Sequence, residues 1–317
     1  MLIKKNNTMK TNLLTTIAVA FAMAFTGAVS AKSPNSNAAK PKAKHVVLIG
    51  LDGWGAYSVP KAHDIPNIKY FMDNGCYTLT DRAVLPSASA INWASMFMGV
   101  PTEMHGYTQW NSQHPEIPSS VTNSRGIAPT IFSVVREQMP NAETGCLYEW
   151  DGVKHVVDTL TINYVAQACN YEKDPMELSR MASDYIKAKK PQFVAVCFGQ
   201  VDETGHAVGH DTPEYYATLA SVDRQIGTIV EAIKVAGMWD DTIVILTSDH
   251  GGINKGHGGK TMLEMQIPFI VWGKGVKKGG RIVETMMQYD CAATIAEVLG
   301  LKCPPSWRGV APRSAFK

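Results

Sequence analysis

The chain predicts an α/β fold, a three-layer α/β/α sandwich around a largely parallel central sheet. Two observations carry that expectation. Short apolar runs rich in β-branched residues alternate along the chain with longer segments of helical period. The runs are also continuous rather than alternating, as suits strands covered by helices on both faces.

The elements follow in order. Lys4, Lys5 and Lys10 precede an apolar run from Leu13 to Phe25 and the small residues Ala28-Val29-Ser30-Ala31, the pattern of a signal peptide cleaved after Ala31. The run is shorter than the ~20 residues that span a bilayer, so no stable membrane insertion is expected after cleavage. An exported, secreted or periplasmic protein follows. Residues 32–44 are rich in Lys, Pro and Ser without hydrophobic periodicity and read as a flexible linker, leaving 45–317 as a single catalytic domain. Residues 45–51, 193–198, 242–247 and 267–272 read as buried strands. A helix is expected from Ser89 to Met98, stopped by Gly99 with Pro101 beyond. Residues 101–130, rich in Pro, Ser, Asn and Gln, read as a long surface excursion. Asp174 as N-cap, Pro175 and Glu177 open a helix that ends before Pro191. Thr212 and Pro213 open another ending at Gly237, with Leu219, Val222, Ile226, Ile229, Val230 and Ile233 on one packing stripe. A last helix runs from Asp290 as cap to Gly300.

Composition bounds the function classes. The 317 residues are 45% hydrophobic and 18% charged, which excludes a disordered chain. Losing residues 1–31 takes 30 basic residues to 27 against 28 acidic ones, so the charge passes from +2 to −1. So balanced a chain is not built to hold a nucleic-acid duplex or an anionic membrane. The cysteines Cys76, Cys146, Cys169, Cys197, Cys291 and Cys303 show neither a CxxC pair nor a dense disulfide pattern, and Cys197, inside an apolar run, reads as a buried thiol.

The chemistry-bearing residues sit just beyond the strands. Asp52 follows the first run, Asp202 the 193–198 run, and Asp249-His250 the 242–247 run. In open α/β sheets ligands bind at the carboxyl ends of strands, so separate strands bring Asp and His to one edge. Asp202 and His206 lie four apart and share a face if helical, and His257 lies between glycines shortly after His250. Three carboxylates and three imidazoles compose two mixed oxygen and nitrogen sites, which favours two divalent ions, zinc ahead of manganese or iron. Ser87 or Ser89, at the N-terminus of the 89–98 helix, meets free N–H groups that favour a phosphate; an ordinary serine N-cap is the other reading.

The ordered set of Asp52, the Ser89 segment running to MGVPTEMHG, Asp202-x-x-x-His206, Asp249-His250-Gly251 and His257 resembles the alkaline phosphatase superfamily. Its nucleotide pyrophosphatase/phosphodiesterase branch is the nearest match, over roughly residues 45–310. The resemblance implies an alkaline-phosphatase-like fold and selects Ser89, ten residues before Gly99, as nucleophile, with Asn92 three residues later as a donor to the phosphate. It further implies that Asp202, His206 and His257 hold one metal, and that Asp52, Asp249 and His250 hold the other beside Ser89, itself a ligand. Two divalent ions against three carboxylates leave the site at +1, enough to attract a phosphate without a basic patch. The implied reaction is hydrolysis of a small phosphate ester or nucleotide through a covalent Ser89 intermediate.

Departures from the pattern refine the expectation. Serine replaces the threonine common in this branch, Asn111 falls one residue off a second phosphate-binding asparagine, and His210 is a weaker substitute for His257. Ala90 follows Ser89 where phosphatases of monoesters carry an arginine clamp, which tilts the reading toward diesters. No cysteine opens the C-x-P-x-R motif of a sulfatase, and the stretch from Gly99 to Phe193 is short for the inserted domain of a phosphoglycerate mutase. A phosphomonoesterase or phosphonate hydrolase on the same core, or a silent phosphate-binding protein, are the alternatives. Tyr107, Trp110, Tyr148 and Trp150 are candidates to stack on the substrate's organic half, with at least two expected in the core.

Overall fold

The computed structural model describes residues 40–317, so the expected signal peptide and residues 32–39 of the linker lie outside the described residues. The four apolar runs are strands β1 (His45–Leu51), β5 (Phe193–Phe198), β6 (Thr242–Thr247) and β7 (Gln266–Gly273). Four more strands join them: β2 (Cys76–Arg82), β3 (Thr144–Tyr148), β4 (Tyr164–Gln167) and β8 (Gly280–Arg281). The eight form one sheet in the order β4-β3-β5-β1-β6-β7-β2-β8. Every neighbouring pair is parallel except the two that involve β7, so β7 alone runs against the rest.

The helices are α1 (Pro66–Asn74), α2 (Ser89–Met98), α3 (Thr102–His105), α4 (Ile131–Gln138), α5 (Glu177–Lys189), α6 (Gln200–Val208), α7 (Pro213–Val235), α8 (Met262–Met265) and α9 (Asp290–Leu299). The period-two geometry of β1 divides the core between them. Val46 and Leu48 face a cluster that includes Trp93 and Phe97 of α2, Phe132 of α4 and Ile295 of α9. Val47, Ile49 and Leu51 face the opposite cluster, with Phe71 of α1, Ile186 of α5 and Ile226 of α7. This is the α/β/α sandwich. Among the described residues no helix is long and apolar enough to cross a membrane. The six cysteines are free, and Cys197 is buried on β5.

Two helix starts differ from expectation. Helix α5 begins at Glu177 with Met176 as N-cap, because the Asp174 carboxylate pairs with Arg180 instead of bonding the first turn. Helix α9 has Tyr289 as N-cap and Asp290 as its first residue; the Asp290 carboxylate accepts from Met287 N and Val310 N, tying the C-terminal segment down. Thr212 does cap α7, accepting from Tyr215 N, and the residues of the predicted stripe are buried.

Asp81 on β2 is buried, with one oxygen accepting from Arg82 N (2.7 Å). Burial pushes its carboxyl up to about 8, and the nearby Asp290 adds to the shift. The native state thus holds a proton that the unfolded chain releases near pH ~4. That contribution to stability is complete below pH ~4 and is lost as pH rises through about 8. Asp81→Asn is expected to flatten the fall in Tm between pH 6 and pH 9 and to raise Tm by several degrees at the alkaline end; differential scanning calorimetry across that range tests it.

Candidate active site

Strand β1 lies between β5 and β6, and the polar residues leave the sheet where these three strands end. Asp52 N donates to the carbonyl of Phe198 on β5 (2.8 Å), extending the ladder one residue past β1. The Asp52 carboxylate is held by the indole N–H of Trp93 on α2, which donates to Oδ2 (3.1 Å). Asp249 Oδ1 accepts from Gly53 N (3.1 Å) and from His250 N (2.8 Å). Gly53 sits at φ +70°, and a Cβ there would lie 2.6 Å from Asp202 Oδ1, so only glycine lets these two backbones approach. Asp202 and His206 are one turn apart on α6, with Oδ2 and Nε2 at 3.1 Å.

Four imidazoles share one arrangement. Nδ1 of His206 lies 2.9 Å from the Lys255 carbonyl, that of His210 3.1 Å from Asn254, that of His250 2.8 Å from Gly251, and that of His257 3.0 Å from Ser87. A proton on each Nδ1 satisfies these carbonyls and leaves each Nε2 with a free lone pair, the tautomer of a metal-binding histidine. The Nε2 atoms converge on the carboxylates: His250 lies 3.4 Å from Asp52 and 3.3 Å from Asp249, His257 3.8 Å from Asp202, and His206 3.1 Å from His257 Nε2.

Two ligand groups emerge, Asp202 with His206 and His257, and Asp52 with Asp202 and His250. Asp202 thus stands between both, while Asp249 approaches the second group through its contact with His250. Asp52 Oδ1, Asp202 Oδ1 and Asp249 Oδ2 are buried without a hydrogen-bond partner. Burial, reinforced by neighbouring carboxylates, pushes Asp52 and Asp249 well above the usual carboxylate range. Burial also works against the Asp202 anion, but the imidazoles of His206 and His210 outweigh it and hold this carboxyl below the usual range. Burial drives His250 down to about 3, whereas the bond to Asp202 lifts His206 to about 9. Three clustered buried carboxylates with orphaned oxygens, beside imidazoles whose Nδ1 atoms are held by carbonyls, fit divalent cations in chemistry and in position.

Ser89 opens α2, and its Oγ lies 3.2 Å from His250 Nε2. The competing Ser87 is fully buried and donates its hydroxyl to the carbonyl of Gly259 (2.7 Å). Asn92 departs from the expected phosphate contact. Its Oδ1 accepts from Val84 N (2.7 Å) and its amide donates to the carbonyls of Pro86 and Ala88, so it clamps the 84–88 loop onto α2. Asn111 is exposed on the excursion.

A cavity of about 160 Å3 is lined by Ser89, Asp52, Asp202, Trp110, Trp150 and Glu203, together with His206 and His257. Of the four aromatic candidates, Tyr107 and Tyr148 are core residues at 2% and 4% exposure, while Trp110, 58% exposed, and Trp150 face the cavity. Among the described residues no lysine or arginine lines it; Lys255 donates instead to the Ala207 carbonyl (2.8 Å). The sequence reading missed Trp93, Gly53 and Glu203. Trp93 stands one helical turn after Ser89, the only signal for its role.

Fold and site together define a member of the alkaline-phosphatase-like class of α/β/α folds. Residues 46–257 match the type I phosphodiesterase / nucleotide pyrophosphatase family, and the chain belongs to that family. It is 27% identical over 229 residues to the bis(5'-adenosyl)-triphosphatase enpp4 of Mus musculus, covering 68% of this chain and 48% of that protein. It is 26% identical over 220 residues to venom phosphodiesterase 2 of Crotalus adamanteus, covering 65% and 26%. The chain therefore spans about half or less of the length of these curated relatives. In fold it is similar to murine ectonucleotide pyrophosphatase / phosphodiesterase 5, solved as an inactive variant with AMP (TM-score 0.67, 16% identity, 83% and 96% of the two chains). It is also similar to a 2-O GAG sulfatase (TM-score 0.68, 14% identity, 85% and 73%).

Proposed function

We propose that this protein is an exported, two-metal phosphodiesterase or nucleotide pyrophosphatase that works through a covalent Ser89 intermediate. One observation carries the reading: Ser89 lines the same cavity as Asp52 and Asp202, whose Oδ1 atoms are orphaned, and its Oγ lies 3.2 Å from His250 Nε2. Asp202, His206 and His257 would hold one ion, and Asp52, Asp249, His250 and Ser89 the other, with zinc favoured by the nitrogen and oxygen donors. The ions would supply Lewis acidity toward the phosphoryl oxygens and lower the pKa of bound hydroxyl groups.

The chain's own residues do the rest. The Ser89 hydroxyl loses its proton and its oxygen attacks phosphorus in line, forming the Ser–O–P bond as the bond to the leaving oxygen breaks. The leaving alcohol takes up a proton. Water then attacks from the vacated side, breaking the Ser–O–P bond and returning a proton to Ser89. Trp93 and Gly53 keep Asp52 and Asp249 in place throughout. Asn92 acts as a positioning residue, holding the loop that enters α2.

Ala90 after Ser89, and a cavity without lysine or arginine, support diesters over monoester dianions. The test is kcat/KM for bis-p-nitrophenyl phosphate against p-nitrophenyl phosphate with zinc-loaded mature protein. A ratio well above one is expected; a ratio well below one would transfer the reading to a phosphomonoesterase.

A further inference from the structure

Glu149, the residue after β3, is buried and belongs to neither ligand group. Its N–H donates to the Cys197 carbonyl on β5 (3.1 Å), and its carboxylate reaches the start of α6. Oε2 accepts from Gly199 N (2.6 Å) and Gln200 N (3.3 Å), and Oε1 from Gln200 Nε2 (2.6 Å). Gln200 Nε2 also donates to the Pro175 carbonyl (3.0 Å), and Gln200 Oε1 accepts from Gln225 Nε2 on α7 (3.2 Å). Gly199, the N-cap of α6, has no side chain to satisfy these first N–H groups, so a carboxylate fifty residues earlier does it.

The arrangement is an expensive way to cap a helix. Burial pushes the Glu149 carboxyl up to about 7, although the bonds from Gln200 and Gly199 favour the anion. A serine or asparagine at 199 would cap α6 locally without a buried charge. What sets α6 apart is what it carries: Asp202 and His206 lie in its first two turns, and Asp202 stands in both ligand groups. Trp150, next to Glu149, and Gly199 line the cavity at Ser89. His206 and Trp110 line that cavity and an adjoining one of about 530 Å3, so the placement of α6 shapes both. We infer that Glu149 is a positioning residue: its carboxylate fixes the first turn of α6, and with it Asp202 and His206, in the arrangement that holds the ions. The inference rests on the two-metal reading and extends it to a residue outside the ligand set.

Helix α1 supplies a matched control. Asp223 on α7 is buried and holds the start of α1 in the same way, Oδ2 accepting from Asn67 N (3.1 Å) and Oδ1 from Ile68 N (2.8 Å). No residue of α1 lines either cavity or belongs to a ligand group. Zinc affinity by chelator competition, Tm and amide hydrogen exchange are measured on mature wild type, Glu149→Gln and Asp223→Asn. Each substitution keeps the shape but sets an amide donor against existing donors, so both are expected to lower Tm by several degrees. In metal-free protein, exchange is expected to quicken in α6 only for Glu149→Gln and in α1 only for Asp223→Asn. Glu149→Gln alone is expected to weaken zinc binding, about tenfold, at one of the two sites, the lower end of what outer-sphere substitutions cost. Should that variant not fold, Glu149→Asp, which keeps the charge but shortens its reach by one carbon, is expected to quicken exchange in α6 and weaken zinc together. Faster exchange in α6 with zinc affinity within threefold of wild type, or an equal zinc loss in Asp223→Asn, would overturn the role and leave the two-metal site intact. Wild type that takes up no divalent ion would overturn the two-metal reading, and the inference with it.

Discussion

Ser89→Ala is expected to fold, to keep its divalent ions and to lose turnover of bis-p-nitrophenyl phosphate by at least ~10^3-fold. The hydroxyl is the one atom removed. It lies 3.2 Å from His250 Nε2, and no side chain other than His250 depends on it, so the cost in stability is small. The ligand groups of Asp52, Asp202, His206, His250 and His257 are untouched. Metal content by mass spectrometry, Tm and kcat/KM measured on one preparation separate loss of chemistry from loss of the site. Ser89→Thr keeps a hydroxyl at the same carbon and is expected to recover most of the rate. Retention of turnover to within tenfold in Ser89→Ala would direct attention to a water nucleophile, since the Ser87 hydroxyl is already committed to Gly259.

The second large effect is a crossover produced by Asp52→Asn. Asp52 is buried, its Oδ1 has no partner, and burial together with the charge on Asp202 makes its ionised form costly without a cation. Asparagine preserves the shape and an oxygen for the Trp93 indole but removes the charge. In the presence of a chelator, at pH 8, the variant is therefore expected to melt several degrees above wild type, because a buried repulsion is gone. In excess zinc the order is expected to reverse, since wild type gains binding free energy that the variant lacks. Activity is expected to fall by ~10^2-fold or more, the usual cost of removing a ligand or the groups that orient it. A variant less stable than wild type under both conditions would mean that Asp52 is paid for within the protein and is not waiting for an ion.

Much of the fold is legible along the chain because burial on both faces of a parallel sheet demands continuous apolar runs. Residues 45–51, 193–198, 242–247 and 267–272 carry that signal, and all four are strands. Helix α2 ends where Gly99 supplies φ +64°, and α7 begins at the Thr212 cap. Strands β2, β3, β4 and β8 were not legible. Cys76–Arg82 is rich in Thr with Asp and Arg, Thr144–Tyr148 is five residues long and contains a glycine, and Tyr164–Gln167 and Gly280–Arg281 are shorter still. Such segments become strands because a neighbouring edge offers hydrogen bonds, which no local pattern reports.

What the sequence by itself determined is the inventory: which residues bear chemistry, and that Asp52, Asp202 and Asp249-His250 follow strands whose ends share one side of a parallel sheet. That much follows from chain direction, since parallel strands all present their carboxyl ends to the same edge. Only the tertiary structure decided how those residues stand to one another. It set Asp202 between both ligand groups, turned the Nδ1 atoms of His206, His210 and His257 to carbonyls far along the chain, drew Asn92 into the 84–88 loop, and left Trp110 exposed between two cavities. The physical reason is range. Periodicity and capping act over a few residues, whereas Ser87 meets His257 and Asp52 meets His250 across separations of 170 and 198 residues, which only the assembled sheet brings to within a few ångströms.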